Sequence, residues 1–437
     1  MHWTRGRSAL YRRFVKRRAD TAAIGPAAAP PPPVTTGGLV SGSSGFRRAS
    51  AAQAVAGAGT FASLYSVQAL LPLVAAEFDV PASTASLSLS AATGALALGL
   101  LPASAVAARW GLGRVIRLSL LATVVLGLLA PLAPSFPALV AVRTLQGLLM
   151  AGVPALGMAY LGREVHAGSL GSAMGLLVAG NTLGGLTGRV LTSTVADVAG
   201  AWRPAMAAVG VVSLACLAAF WVLLPPEART GGRTPPAETR STVFHVRAHL
   251  RDTGMLRLFA ISFLIMSAFI TVYNYLAFRL LDPPFSLSHT VVGLLFLVYL
   301  AGTVASTVSG RLGDRLGRRH VLLAGTSLSL VAVLLTLPDS LLAVGAGLVL
   351  FTVGFFAAHT AASGWVSRRA TQGRAQASSL YLLAYYAGSS VGGWASGFAF
   401  DATGWTGVVV VVSGLALLAT GIAASLRHLP PAVQPAR

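Results

Sequence analysis

Apolar residues run along this chain in blocks too long for a soluble fold. Roughly 20 consecutive apolar residues, rising about 1.5 Å each, cross a bilayer core. Blocks of that kind lie at 52–76, 84–108, 115–133, 136–160, 168–195 and 203–224, then at 255–280, 288–312, 319–337, 340–363, 374–398 and 403–426. The pattern predicts an all-α membrane protein with twelve transmembrane helices. Most joints between blocks are short and carry Pro, Gly or charge, as in Glu77 to Pro81, Pro131 to Pro137 and Asp282 to Pro284. One long break, 225–254, is rich in Pro, Arg and Thr and divides the helices into two sets of six. The expected organisation is a basic, Pro-rich tail (1–50), an N-terminal half (51–224), a linker (225–254), a C-terminal half (255–426) and a short tail (427–437).

The polar positions carry their own order. With the N-terminus inside, the inner segments hold 28 of the 32 basic residues. The outer helix ends keep Arg189, Arg203 and Arg279, and Arg143 lies inside the fourth helix. Short cytoplasmic loops retain Lys and Arg, so both termini are expected in the cytoplasm of a cell's inner membrane. All twelve acidic residues fall in loops, tails or helix ends.

Composition agrees with the pattern: 55% of residues are hydrophobic and only 10% charged, against about 25% charged in soluble domains. The net charge of +20 raises nucleic acid as a partner, but such binders gather Lys and Arg on one soluble face. Here the charges mark helix ends, so nucleic acid is set aside. A single cysteine, Cys216, excludes a disulfide framework and a thiolate metal site. No metal-ligand cluster, nucleophile–base pair or phosphate-cradling Gly-Lys motif appears, so neither an enzyme, a cofactor nor ATP hydrolysis is expected. Arg5, Arg7, Arg12, Arg13, Lys16, Arg17 and Arg18 precede the run Pro30 to Pro33 with no apolar segment after them. The expectation is a disordered basic tail rather than a secretory signal, with Trp3, Leu10 and Phe14 as an alternative helical face for anionic lipid.

The halves repeat each other. Gly180-Asn181-Thr182-Leu183-Gly184-Gly185 aligns with Gly388-Ser389-Ser390-Val391-Gly392-Gly393, 208 residues on. Arg109-Trp110-Gly111 aligns with Arg315-Leu316-Gly317, 206 residues on. Repeated halves with a site near the midplane between them are a transporter architecture.

Two motifs carry a family resemblance. Gly310-Arg311-Leu312-Gly313-Asp314-Arg315-Leu316-Gly317-Arg318-Arg319 resembles the major facilitator superfamily signature between helices 8 and 9. Arg143-Thr144-Leu145-Gln146-Gly147 resembles the superfamily's helix 4 signature. Leu64 to Gln68, Gly180-Asn181 to Gly188-Arg189, and Tyr385 to Ser390 look like the acriflavine-sensitivity branch of effluxers. The resemblance implies secondary transport of a small solute by alternating access, and a gating role for Gly310, Asp314, Arg315, Gly317 and Arg318. Arg109 and Gly111 belong to the first-half copy. Asp314 is expected to pair with Arg315 or Arg318 and to sit near the start of helix 5. Two positions depart from the pattern. Ala108 stands where the first copy needs an acid, and Gly180-Asn181 replaces the Gly-Pro of antiporters, which removes a reason for helix 5 to kink. Proton-coupled efflux by a monomer in the bilayer is the first expectation. Uptake or uniport of an anionic or neutral metabolite is the second, and a non-transporting sensor of the same fold the third.

The interior chemistry is sparse. Arg143 sits seven residues into helix 4, and an Arg at that depth faces a wet cavity or a partner. Gln146, Gly147, Met150 and Pro154 share its face and are expected to form a cavity wall. Arg143 is therefore the expected charged group of the pathway, and its removal should stop transport while leaving the fold intact. Phe61, Tyr65, Gln68 and Pro72 form a stripe on helix 1. Asn181, Gly185 and Arg189 form a row on helix 5, while Thr271 and Asn274, then Tyr381, Tyr385 and Ser389, mark helices 7 and 11. His359 is the one deep group that titrates near neutrality when unperturbed, and is the candidate for proton coupling. With Arg143 as the deep charge and no deep acid, the cavity favours an anionic or neutral solute.

Overall fold

The structure, a computed structural model, describes residues 38–224 and 237–428. The expectations for residues 1–37, 225–236 and 429–437 lie outside the described residues.

Twelve long helices follow one another: α1 (Ser44–Phe78), α2 (Ala82–Trp110), α3 (Leu112–Leu132), α4 (Phe136–Glu164), α5 (Leu170–Ala199) and α6 (Trp202–Leu223). The second half repeats them as α7 (Thr253–Leu281), α8 (His289–Arg315), α9 (Arg318–Leu334), α10 (Leu341–Arg369), α11 (Arg374–Thr403) and α12 (Trp405–Ser425). Nine of these are long and apolar enough to cross a membrane by length and composition. The remaining three are α5, α9 and α11. α9 is only 17 residues long, and α5 and α11 are diluted by glycine and hydroxyl residues.

That dilution has a packing cause. A β-carbon at Gly180, Gly184 or Gly188 of α5 would run into the backbone of Ala54, Ala58 or Ala62 of α1. In the second half, one at Gly388 or Gly392 of α11 would strike Phe263 or Ser267 of α7. The two crossings are the same contact displaced by 208 residues in one helix and 209 in the other. Small residues let membrane helices approach closely, which is why the sequence repeat is strongest there.

Several boundaries differ from the sequence reading. α1 begins at Ser44, not near 52, because the Ser43 hydroxyl caps it by accepting from the Phe46 amide at 3.1 Å. The segment before it is also held, since Leu39 pairs with the strand-like Glu164–His166. The linker contains a helix, Ala237–Arg251. Asp252 then caps α7 through the amides of Gly254 and Met255, and forms a buried ion pair with Arg369 of α10 at 2.9 Å. α1 is not one continuous helix. It breaks after Tyr65, passes through a 3-10 turn at Gln68–Leu70 and resumes at Leu71.

The halves meet at one end of the bundle. The Ser83 amide of α2 donates to Asp401 of α11 at 3.3 Å, and Gly94 faces Ser390. Gly293 of α8 packs on Ser193 of α5. At the other end, which carries the Arg109–Gly111 and Arg315–Gly317 corners, α2 becomes exposed beyond Leu100 on nearly every side. α5 likewise exposes Gly171, Ser172, Gly175, Leu176, Val178 and Ala179. The bundle is thus closed at one end and splayed at the signature end.

Candidate functional site

Three polar side chains meet at the seam between the halves. Arg189 of α5 donates through Nε to Gln68 Oε1 at 2.7 Å, and Gln68 Nε2 donates to Asn274 Oδ1 of α7 at 2.8 Å. Arg189 also donates to its own Gly185 carbonyl at 2.8 Å. All three side chains are buried. Tyr65 and Gln68, three residues apart in the stripe expected on helix 1, both reach Arg189, and Gly185 faces Tyr65 and Phe61 of the same stripe. The guanidinium carbon lies 4.1 Å from the Tyr65 ring centroid, 4.9 Å from Tyr299 and 5.0 Å from Phe296. These cation–π contacts come from both halves.

The prediction that Arg189 belongs to an outer helix end is corrected here. It lies ten residues inside the end of α5 at Ala199. The apolar block ends at 195, four residues short of the helix end, and its last part carries Thr192, Ser193 and Thr194. Thr192 and Thr194 nevertheless return their hydroxyls to the carbonyls of Gly188 and Val190 at 2.8 and 2.9 Å, so the helix continues through a polar stretch. The signal available in the sequence was the small-residue row running into Arg189. Tyr299 and Phe296 carried none, since aromatic residues in apolar blocks look like packing.

Arg143 is placed differently from expectation. It is fully buried and faces the interior of its own half. Its Nε donates to the Ser88 carbonyl at 3.1 Å, NH1 to the Ser63 carbonyl at 2.9 Å and to Gln146 Oε1, and NH2 to the Leu64 carbonyl. Ser63 and Leu64 lie in the last turn before the α1 break, where backbone partners run out and the Ser66 hydroxyl also donates to the Ser63 carbonyl. Gln146 extends the network to the Thr123 carbonyl of α3 at 2.8 Å and to Ser63 Oγ at 3.2 Å. The face predicted to line a cavity is therefore a packing face, and Gly147 abuts the backbone of Ala92.

A second cluster lies in the other half. Tyr381 Oη is 3.0 Å from His359 Nδ1 and donates to the His359 carbonyl at 3.3 Å. Tyr385 and Phe355 flank the imidazole, with ring centroids 5.1 and 5.9 Å away. Phe355 stacks on Phe269 at 3.8 Å, and Phe269 touches Tyr299 at 5.4 Å, so aromatic rings run from His359 to Arg189. Asn181 stands apart: its side chain packs at Gly57 on the α1–α5 crossing.

In the signature loops, Asp314 pairs with Arg318 at 3.2 Å and with Arg368 of α10 at 2.7 Å, all on the C-terminal half. Arg315 and Arg109 are exposed at the splayed end. Gly111 and Gly317 adopt φ of +85° and +88° at equivalent helix corners, a conformation that favours glycine. Gly310 lies 3.9 Å, at its virtual β-carbon, from Thr360 of α10.

The sequence profile of the Major Facilitator Superfamily matches residues 53–282 and, a second time, residues 258–437. The chain belongs to that superfamily. It is 39% identical over 378 residues to the uncharacterized MFS-type transporter YybF of Bacillus subtilis, covering 86% of this chain and 93% of that one. It is 38% identical over 378 residues to the inner membrane transport protein YnfM of Escherichia coli, covering 86% and 90%. Among solved structures, the nucleoside transporter NupG superposes with a TM-score of 0.70 at 13% identity, over 87% of this chain and 100% of that one. A bacterial homologue of the lysosomal transporter Spinster superposes with a TM-score of 0.69 at 15% identity, over 88% and 98%. This superfamily member is a multi-pass membrane transporter and not an enzyme.

Proposed function

We propose that the chain moves a small organic solute by alternating access, exporting it from the cytoplasm in exchange for protons. The observation that carries the reading is the buried Arg189–Gln68–Asn274 series at the seam of two repeated halves, closed from one end of the bundle and open from the other. A site so placed is reached from alternate sides as the halves rock. The arginine distribution supports cytoplasmic termini, which puts the signature end in the cytoplasm and makes the present conformation receptive from inside. The likeness of Leu64 to Gln68 and Tyr385 to Ser390 to the acriflavine-sensitivity branch supports efflux.

His359 supports proton coupling, since its Nδ1 shares a short contact with a tyrosine hydroxyl that can donate or accept. The experiment is solute counterflow in proteoliposomes against a metabolite library, repeated with an imposed pH gradient. Export coupled to protons predicts accumulation that follows the gradient, and a His359→Gln variant that keeps exchange but loses the pH dependence. Exchange without any response to the gradient contradicts coupling, and no exchange with any solute contradicts transport.

A further inference from the structure

The chemistry around Arg189 defines what the site recognises. The guanidinium is buried, yet the described acids all lie at helix ends. Asp197, on the same helix, is two turns further out and interacts with Thr290 instead. The acceptors Arg189 does have, Gln68 Oε1 and the Gly185 carbonyl, are neutral, and its NH2 group has no hydrogen-bond partner among the described residues. One further donor stands unpartnered beside it among those residues: Tyr299 Oη, on a ring that packs against the guanidinium. Tyr299 is 8% exposed. A buried donor without an acceptor is costly, and this one belongs to a ring already packed on a positive charge.

We infer that the solute is a small organic anion, with a carboxylate as its simplest acidic group, and that Arg189 is the residue that binds that group. The inference rests on the transport reading above and specifies its substrate class. An ionised carboxylate only accepts hydrogen bonds and takes two in parallel from a guanidinium. It would occupy the free edge of Arg189 and accept from Tyr299. An organic cation would meet like charge and donors alone. The rings from Tyr299 through Phe269 and Phe355 supply an apolar surface for the rest of the molecule. Binding has a further consequence. An anion at Arg189 competes with Gln68 Oε1, and Gln68 is also the residue bonded across the seam to Asn274. Occupancy therefore loosens a tie between the halves at the closed end.

The test uses the full-length chain in lipid nanodiscs, with thermal unfolding followed in the presence of benzoate and octanoate. Benzamide, octanamide and benzyltrimethylammonium serve as matched neutral and cationic probes. A ligand that binds the folded state raises its melting temperature in proportion to occupancy. The carboxylates should do so and the matched probes should not. Arg189→Gln should weaken carboxylate binding by about tenfold or more, with Arg189→Lys in between because an ammonium lacks the planar fork. If Arg189→Gln does not fold, Arg189→Lys and Tyr299→Phe carry the comparison. Equal stabilisation by an amide or the ammonium, carboxylate binding unchanged in the variants, or no stabilisation by either carboxylate would overturn the inference. Counterflow of labelled benzoate separates the two readings. Binding that Arg189 controls without exchange preserves the anion site and contradicts transport. Exchange of the ammonium that survives Arg189→Gln preserves transport and contradicts the anion site.

Discussion

A guanidinium inside a membrane helix must find acceptors for its N–H groups or a wet surface to face. Arg143 finds them in backbone carbonyls left over where α1 unwinds, and Arg189 finds only part of a set at the seam. The sequence shows both residues and their depth in apolar blocks, but not which carbonyls a break in another helix will expose. For that reason Arg143 reads as the pathway charge and Arg189 as a helix end until the fold is known. The expected effect of Arg143→Ala is accordingly reversed. Removing the charge does lower insertion cost, but it takes the side-chain donor from the Leu64 carbonyl and Gln146 Oε1 and empties a fully buried volume. We expect a loss of roughly 1–3 kcal/mol in stability, read as a lowered melting temperature in detergent. Arg143→Lys recovers only part of it, since an ammonium gathers its three donors at one point and cannot span the four acceptors the guanidinium reaches. Unchanged melting in Arg143→Ala would show that water or lipid replaces the guanidinium without cost.

At the scale of the element, the glycine rows explain both the packing and the repeat. Gly184 meets the backbone of Ala58, whereas Gly171 on the same helix has nothing within 4 Å of its virtual β-carbon. Gly184→Leu is expected to cost about 1–3 kcal/mol or more through overpacking, while Gly171→Leu leaves the melting temperature near that of the parent. Equal effects at the two positions would deny the close α1–α5 crossing. Helix number and order were legible because twelve apolar blocks map one-to-one onto twelve helices. Their ends were less so. Capping by Ser43, hydroxyl return bonds in the outer part of α5 and the helix Ala237–Arg251 all depend on polar residues that read as loop. The unwinding of α1 before Leu71 does have a signal, Pro72 in the first turn of the resumed helix, which cannot donate to the carbonyl one turn back.

At the scale of the molecule, the two halves touch at one end and part at the signature end, and the signature residues sit where they can act on the opposite transition. Asp314 is exposed and paired within its own half, so its ion pairs add little to fold stability, about 0.2–1 kcal/mol. Asp314→Asn should leave the melting temperature nearly unaltered and shift the population toward the splayed signature end, because Ala108 provides no second acid to close it. Equal populations in the variant and the parent would remove Asp314 from the gate.

The central claim is that closure of one end and opening of the other are a single motion. It is tested most directly by spin–spin distances between labels at Ala108 on α2 and Ala375 on α11, in a Cys216→Ser background carrying Ser83→Cys and Asp401→Cys. With those two cysteines joined by a short thiol crosslinker, the account predicts one long-distance population at the signature end. Reduction of the crosslink should restore a second, shorter population. Identical distributions in the joined and reduced protein would contradict the claim.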